Sequence, residues 1–237
     1  MSNKRKPGKR PQARAAADAQ RSGARLNLLL TAGVFLAAIA VIVTVLLVSR
    51  PDPAPEAGAD TLVREDSHFL DTADGDGAVT VVEFLDFECE ACRAAYPEVE
   101  RLREEFKGEI DYVLRYFPLP GHGNAMPAAL AAEAAANQDE LEAMYHLMFT
   151  TQSEWGEQQT DQSAVFAGFA EEIGLDMERF RADVADPATA ERVQRDVDDG
   201  IALGVQGTPT IFIGGERFED QPSFENLKAA VEAAQSK

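Results

Sequence analysis

The amino-acid sequence predicts an α/β fold in which a helical insertion interrupts the sheet and one transmembrane helix precedes it. Three observations carry this prediction. Residues 26–48 form an apolar run without a single charge. Two segments with a strand-like pattern, 79–87 and 110–117, stand before a long block of helical periodicity. After that block the strand period returns around a Gly-Gly pair, and a last helical pattern closes the chain. The order strand, helix, strand, helical block, hairpin, helix is that of an α/β domain with an insertion.

The N-terminal part explains an uneven charge. Residues 1–25 hold eight of the 22 Lys and Arg against one acid, Asp18. The remainder carries 14 bases and 40 acids, a balance of −26. Such a body repels phosphates, which argues against a nucleic-acid function. A helix over 26–48 would span about 34 Å at ~1.5 Å per residue, enough to cross a bilayer. Bases precede it, and Asp52, Glu56 and Asp60 follow soon after. The positive-inside rule then places residues 1–25 in the cytoplasm and the body outside, on a single-pass signal-anchor. The rival is a cleaved signal peptide ending near Ala57–Ala59, whose apolar core would run only about 7–15 residues. Both readings export the body, and disulfides persist outside the cytosol. Residues 49–60, with "PDPAPEAGAD", read as a semi-extended linker. The folded domain is expected over 61–237.

Val79 to Phe87, "VTVVEFLDF", is almost continuously apolar and β-branched, the pattern of a strand buried on both faces. It runs into Cys89, after which Ala95, Val99, Leu102 and Phe106 mark one stripe of an amphipathic helix. Pro97 interrupts that helix at a cost of ~3 kcal/mol, so two short helices and one kinked helix are both open. A second strand covers Ile110 to Phe117. Helical patterns follow at about 127–137, 140–150, 162–173, 177–185 and 188–203, an insertion over about 118–205. Asp139, Asp161 and Asp176 are expected N-caps, and Gly174 and Gly204 expected stops. Gly214-Gly215 then joins Ile211–Ile213 to Arg217–Glu219 as a two-residue hairpin turn. A final helix is expected near 223–235.

Cys89 and Cys92, in "FECEACRAA", are the chain's two cysteines. A zinc site needs a second Cys pair or two closely spaced histidines. His68, His122 and His146 are far apart in sequence. As a structural disulfide, so short a loop gains little chain entropy and strains the bond. The redox reading gains from location, because a thiol at a helix N-terminus is stabilised as thiolate.

The stretch "VVEFLDFECEAC", Pro97 five residues after the second cysteine, and "GTPT" before a hairpin together resemble the thioredoxin fold in its DsbA-like form. The long helical insertion favours that group over plain thioredoxin. The resemblance implies a protein disulfide oxidoreductase with no organic cofactor or metal, its redox centre being a Cys89–Cys92 disulfide. It implies that Cys89 is the exposed nucleophile and Cys92 the more buried resolving thiol. It makes Pro209 a cis-proline facing the pair, with Thr208 presenting its backbone to an extended substrate segment. Glu83 resembles the buried acid beneath the cysteines. Burial raises such a carboxyl's pKa, which suits a proton acceptor for Cys92. His122, on a loop in "PLPGHGN", reads first as a surface histidine, with approach to the thiols as the alternative; His146 reads as helix packing or a helix face, and Trp155 as packing in the insertion, with a substrate-groove role as the alternative.

The implied partners are exported cysteine-containing proteins and, in the oxidase direction, a quinone-linked membrane protein of the DsbB or vitamin K epoxide reductase type. Strongly oxidising members carry histidine just before the second cysteine; here that position is Ala91. Glu88 and Glu90 flank Cys89, and the Glu90 carboxylate opposes thiolate formation, so a weaker oxidant is expected. A reductase or isomerase arm, or a non-catalytic binding module, are the alternatives.

Overall fold

The computed structural model describes residues 59–75 and 78–237. The basic tail, the apolar run 26–48 and the linker as far as residue 58 lie outside the described residues. Among the described residues no helix is long and apolar enough to cross a membrane.

In chain order the elements are α1 (Ala59–Leu62), β1 (His68–Asp71), β2 (Val79–Leu85), α2 (Glu90–Glu105), β3 (Ile110–Tyr116), α3 (Ala125–Ala136), α4 (Leu141–Trp155), α5 (Ser163–Glu172), α6 (Met177–Ala185), α7 (Pro187–Ala202), β4 (Thr210–Ile213), β5 (Glu216–Arg217) and α8 (Phe224–Gln235). The strands form one sheet in the order β1-β3-β2-β4-β5. β2 and β3 run parallel, from Val79 opposite Ile110 to Leu85 opposite Tyr116, and the other pairs are antiparallel. The central position of β2 explains its near-continuous apolar run, since neither face meets water.

Helices α2 and α8 cover one face, where Val81, Val99, Leu102, Tyr112 and Leu227 pack. On the other face Val82, Phe84 and Val113 pack with Leu62 of α1 and with Leu203, just past α7. Helices α3 to α6 of the insertion close over a third cluster at the end of β2 that includes Leu85, Phe87, Met144, Phe149 and Trp155.

Between the two readings of Pro97, the structure has one continuous helix; the proline sits on its exposed side. Of the three expected N-caps, Asp176 accepts from the N–H groups of Glu178 and Arg179. Asp161 accepts from Ser163 one residue ahead of the assigned cap, while Asp139 adopts a positive φ and caps nothing. The Gly-Gly hairpin forms, with φ of 59° and 85° that only glycine adopts freely. Strand β1 is an addition to the expected pattern. It is four residues long with an irregular register at Phe69/Asp71, too short to show a period.

Two features lock α7 to the sheet. Arg115, fully buried, donates to Asp196 (2.6 Å) and Asp199 of α7 and to the Leu62 carbonyl (2.6 Å), so one guanidinium ties α1, β3 and α7 together. Gly200 lies so close to the sheet that a Cβ there would stand 2.7 Å from the Phe117 ring and 3.1 Å from Phe84. Gly200→Ala gains up to about 1 kcal/mol of helix propensity. Overpacking two buried rings costs about 1–3 kcal/mol and outweighs it. A lower urea midpoint at unchanged slope is expected; a wild-type midpoint would mean that α7 can slide outward.

Candidate active site

Cys89 lies where β2 hands over to α2. Its N–H donates to the Asp86 carbonyl (3.1 Å), and its own carbonyl accepts the first helical bond from Arg93 (3.1 Å). It is thus the N-cap of α2, with extended φ and ψ. At this point the helix N–H groups are free and point outward. A hydrogen bond from the Cys92 thiol, the Thr208 side chain and the N–H groups of Cys92 and Ala91 stabilise the thiolate. Together they overcome burial and hold the Cys89 pKa at about 5. Cys92, one turn further in, goes the other way. Burial, the charge of Cys89 and the charge of Glu83 push it well above the ordinary thiol value. Both cysteines are free thiols here. Cys89 is less open than its expected role suggests: 7% of its surface is accessible, against 1% for Cys92.

The cover comes from the loop before β4. The Thr208–Pro209 bond is cis, and the Thr208 carbonyl lies 3.4 Å from Cys89 Sγ, which donates to it as a thiol. Thr208 Oγ1 is buried and without a partner among the described residues, available to donate to the sulfur once it is ionised.

Glu83 lies beneath the pair, on β2 between Leu114 and Ile211 of the flanking strands. Burial raises its carboxyl to about 7, assisted by Glu100 and Cys89 and opposed by the Tyr112 hydroxyl, which donates to it, and by Arg103. The Arg103 guanidinium stands 5.4 Å from the centre of the Tyr112 ring. One buried acid therefore adjoins the thiol pair: the Cys89 charge raises the affinity of Glu83 for a proton, and the Glu83 charge raises that of Cys92.

Four further residues shape the turn, and three of them had no assigned role in the sequence reading. Gln152, from α4, donates to the carbonyls of Phe87 (2.7 Å) and Cys89 (2.9 Å), so the insertion itself holds the turn. Asp86 is buried and accepts from the N–H groups of Glu88 (2.8 Å) and Leu119 (2.9 Å) and from His122 Nδ1 (2.6 Å). Glu88 is buried too, its carboxylate spent on the N–H groups of Asn124 (2.6 Å) and Glu157 (3.0 Å). Glu90 is exposed, where solvent weakens its effect on the thiol. The two glutamates beside Cys89 thus do different things, and neither keeps its thiol from a low pKa.

Trp155 is fully buried, edge-on to Phe166 at 4.8 Å, and His146 accepts or shares a proton with Tyr96 (2.8 Å) on the face of α4. Among the described residues no group of three or more His, Cys, Asp or Glu side chains is placed to hold a metal.

A five-stranded sheet flanked by helices, a helix capped by the first Cys of a Cys-x-x-Cys pair, and a cis-proline whose preceding carbonyl meets that sulfur define a thioredoxin-fold protein. A family model described as thioredoxin matches residues 74–233, and the chain belongs to this family. Its architecture is the DsbA-like one. A thioredoxin-like oxidoreductase from Silicibacter pomeroyi DSS-3 is 28% identical, with a TM-score of 0.65 over 76% of this chain and 99% of that one. The thiol-disulfide exchange protein α-DsbA2 from Wolbachia pipientis, 23% identical, shares the fold at a TM-score of 0.61 over 73% of this chain and 90% of its own. The Na(+)/H(+) antiporter NhaA of Herminiimonas arsenicoxydans is 38% identical over 159 residues, 67% of this chain. The match spans only 24% of that antiporter, so the chain corresponds to about a quarter of its length.

Proposed function

We propose that this chain is an extracytoplasmic, membrane-anchored thiol–disulfide oxidoreductase that oxidises cysteine pairs of exported proteins. The observation that carries the reading is the opposed tuning of the two thiols, Cys89 held at about 5 and Cys92 pushed well above the ordinary value. Stabilising the reduced form makes a disulfide a stronger oxidant, which favours the oxidising direction despite Ala91 and Glu90. The uncharged run 26–48 supports the anchor.

In the forward step a substrate thiolate attacks Cys89 of the Cys89–Cys92 disulfide. The S–S bond breaks, Cys92 leaves with the electron pair, and Glu83 hands its proton to that sulfur. A second substrate thiolate then attacks the substrate sulfur of the mixed disulfide and expels Cys89 as a thiolate. The substrate has lost two electrons and two protons; the chain holds the electrons as a thiolate and a thiol. One of the two protons then returns from solvent to Glu83, and the other stays in solvent. Reoxidation needs a membrane electron acceptor, for which a quinone-linked protein of the DsbB or vitamin K epoxide reductase type is suited.

The test is oxidative refolding of reduced ribonuclease in a glutathione buffer, with the full chain in detergent. Wild type is expected to accelerate recovery of activity and Cys89→Ser to leave it at the uncatalysed rate. Acceleration that survives Cys89→Ser would falsify the reading.

A further inference from the structure

His122 lies on the loop between β3 and α3, and that loop is pinned beside the thiol turn at points on both sides of the histidine. Leu119 N–H and the imidazole Nδ1 go to one oxygen of Asp86, and Asn124 N–H goes to Glu88. Asp86 and Glu88 belong to the same short turn as Cys89, whose N–H is bound to the Asp86 carbonyl. The ring is therefore fastened to the turn that carries the sulfur, and it keeps 30% of its side chain open to solvent. The sequence carries no cation inside the Cys-x-x-Cys itself, where Glu90 and Ala91 stand.

We propose that His122 is the cationic partner of the redox pair: anchored by Asp86, its imidazolium balances the Cys89 thiolate in the reduced protein and loses that task when the Cys89–Cys92 disulfide forms. His122 acts on the sulfur through space, as a positioning residue for charge.

The charged groups that face it are Asp86, Glu88 and Cys89. Burial pulls the imidazole down, but Asp86, the Cys89 thiolate and Glu88 outweigh that and raise it above the ordinary histidine value. Burial raises the Asp86 carboxyl in turn. Two backbone donors already serve that carboxylate, so the pair's proton resides on the imidazole. Coupling is reciprocal: if His122 favours the thiolate, the thiolate favours protonated His122 by the same factor. Both charges coexist above about pH 5, where Cys89 ionises. The ion pair then fades as pH rises through the elevated midpoint of His122.

The inference rests on the redox reading of the cysteines, and the experiment separates the two. Ring signals of the three histidines are titrated by NMR in the full chain, once with the pair reduced by dithiothreitol and once oxidised. The His122 midpoint is expected to be higher by about one pH unit, a tenfold change, in the reduced state. In parallel, the thiolate absorbance of Cys89 and the equilibrium with glutathione are followed in His122→Gln and His122→Lys. His122→Gln is expected to raise the Cys89 midpoint and lower the oxidising equilibrium constant several-fold, and His122→Lys to restore both. Equal His122 midpoints in the two redox states, or a His122→Gln equilibrium like wild type, overturns the proposal while leaving the oxidoreductase standing. A pair that cannot be cycled between thiol and disulfide sinks both.

Discussion

The full chain carrying Cys92→Ala is expected to accumulate a mixed disulfide at Cys89 when offered oxidised glutathione, and the Cys89→Ala chain is expected to accumulate almost none. The obvious explanation, that the low-pKa thiol is the reactive one, does not suffice. At neutral pH Cys89 is almost wholly thiolate, whereas a thiol above 9 is ionised to about 1% or less. Nucleophilicity falls as pKa falls, with a Brønsted slope of about 0.4–0.5, so part of the gain in thiolate is offset and the thiolate fraction alone does not set the order of attack. What separates the two sulfurs is access. Cys89 sits at the mouth of the turn, under a loop whose Thr208 carbonyl it touches, while Cys92 is packed one helical turn inside. The low pKa of Cys89 matters at the other end of the reaction, because it makes Cys89 a good leaving group. The adduct should therefore build up at low thiol and be stripped quickly by added dithiothreitol. Mass spectra of the two variants decide the matter. Equal adducts would mean that burial does not protect Cys92 and that the assigned order of attack is wrong.

How far the sequence could lead depended on whether a feature leaves a local pattern. The central strand was legible because burial on both faces demands an unbroken apolar run, and Glu83 stood out because it breaks that run. The hairpin was legible because two adjacent residues with positive φ require glycine. Cys89 at the start of a helix could be placed from the switch between strand and helix periods. The support of the site could not. Gln152 reaches carbonyls more than 60 residues away in sequence, and Glu88 reaches N–H groups 36 and 69 residues away. Such side chain to backbone bonds impose no periodicity and no fixed spacing. Asp86 looked like part of an apolar lead-in, and only the path of the loop after β3 brings Leu119 and His122 to it. The one available signal was a run of three acids, Asp86, Glu88 and Glu90, at alternating positions around a buried thiol. Two of the three are buried, and buried carboxylates need partners from elsewhere in the chain.

Glu83→Gln is expected to stabilise the reduced protein at alkaline pH and to slow its chemistry at the same time. A carboxyl raised from 4.5 to about 7 keeps in the folded state a proton that the unfolded chain gives up. The folded state therefore loses stability as pH rises through that window, and above pH 7 the loss is complete at roughly 3 kcal/mol. Glutamine has the same shape, can still accept the Tyr112 hydroxyl, and never ionises. In urea unfolding of the reduced chains the variant should match wild type near pH 4.5 and exceed it by about 3 kcal/mol near pH 8. A gain equal at both pH values would show that the buried titrating group lies elsewhere. The kinetic effect has the opposite sign, since glutamine cannot give a proton to Cys92 as it leaves the disulfide or take one when it attacks. Exchange with glutathione is expected to slow about 10²-fold or more, the usual worth of a positioned general acid or base, and to lose its inflection near pH 7. Removal of the charge alone lowers the Cys92 thiol and makes it easier to ionise. If that effect outweighed the lost proton transfer, the variant would be faster than wild type, and Glu83 would be a source of strain on Cys92 and not its proton carrier.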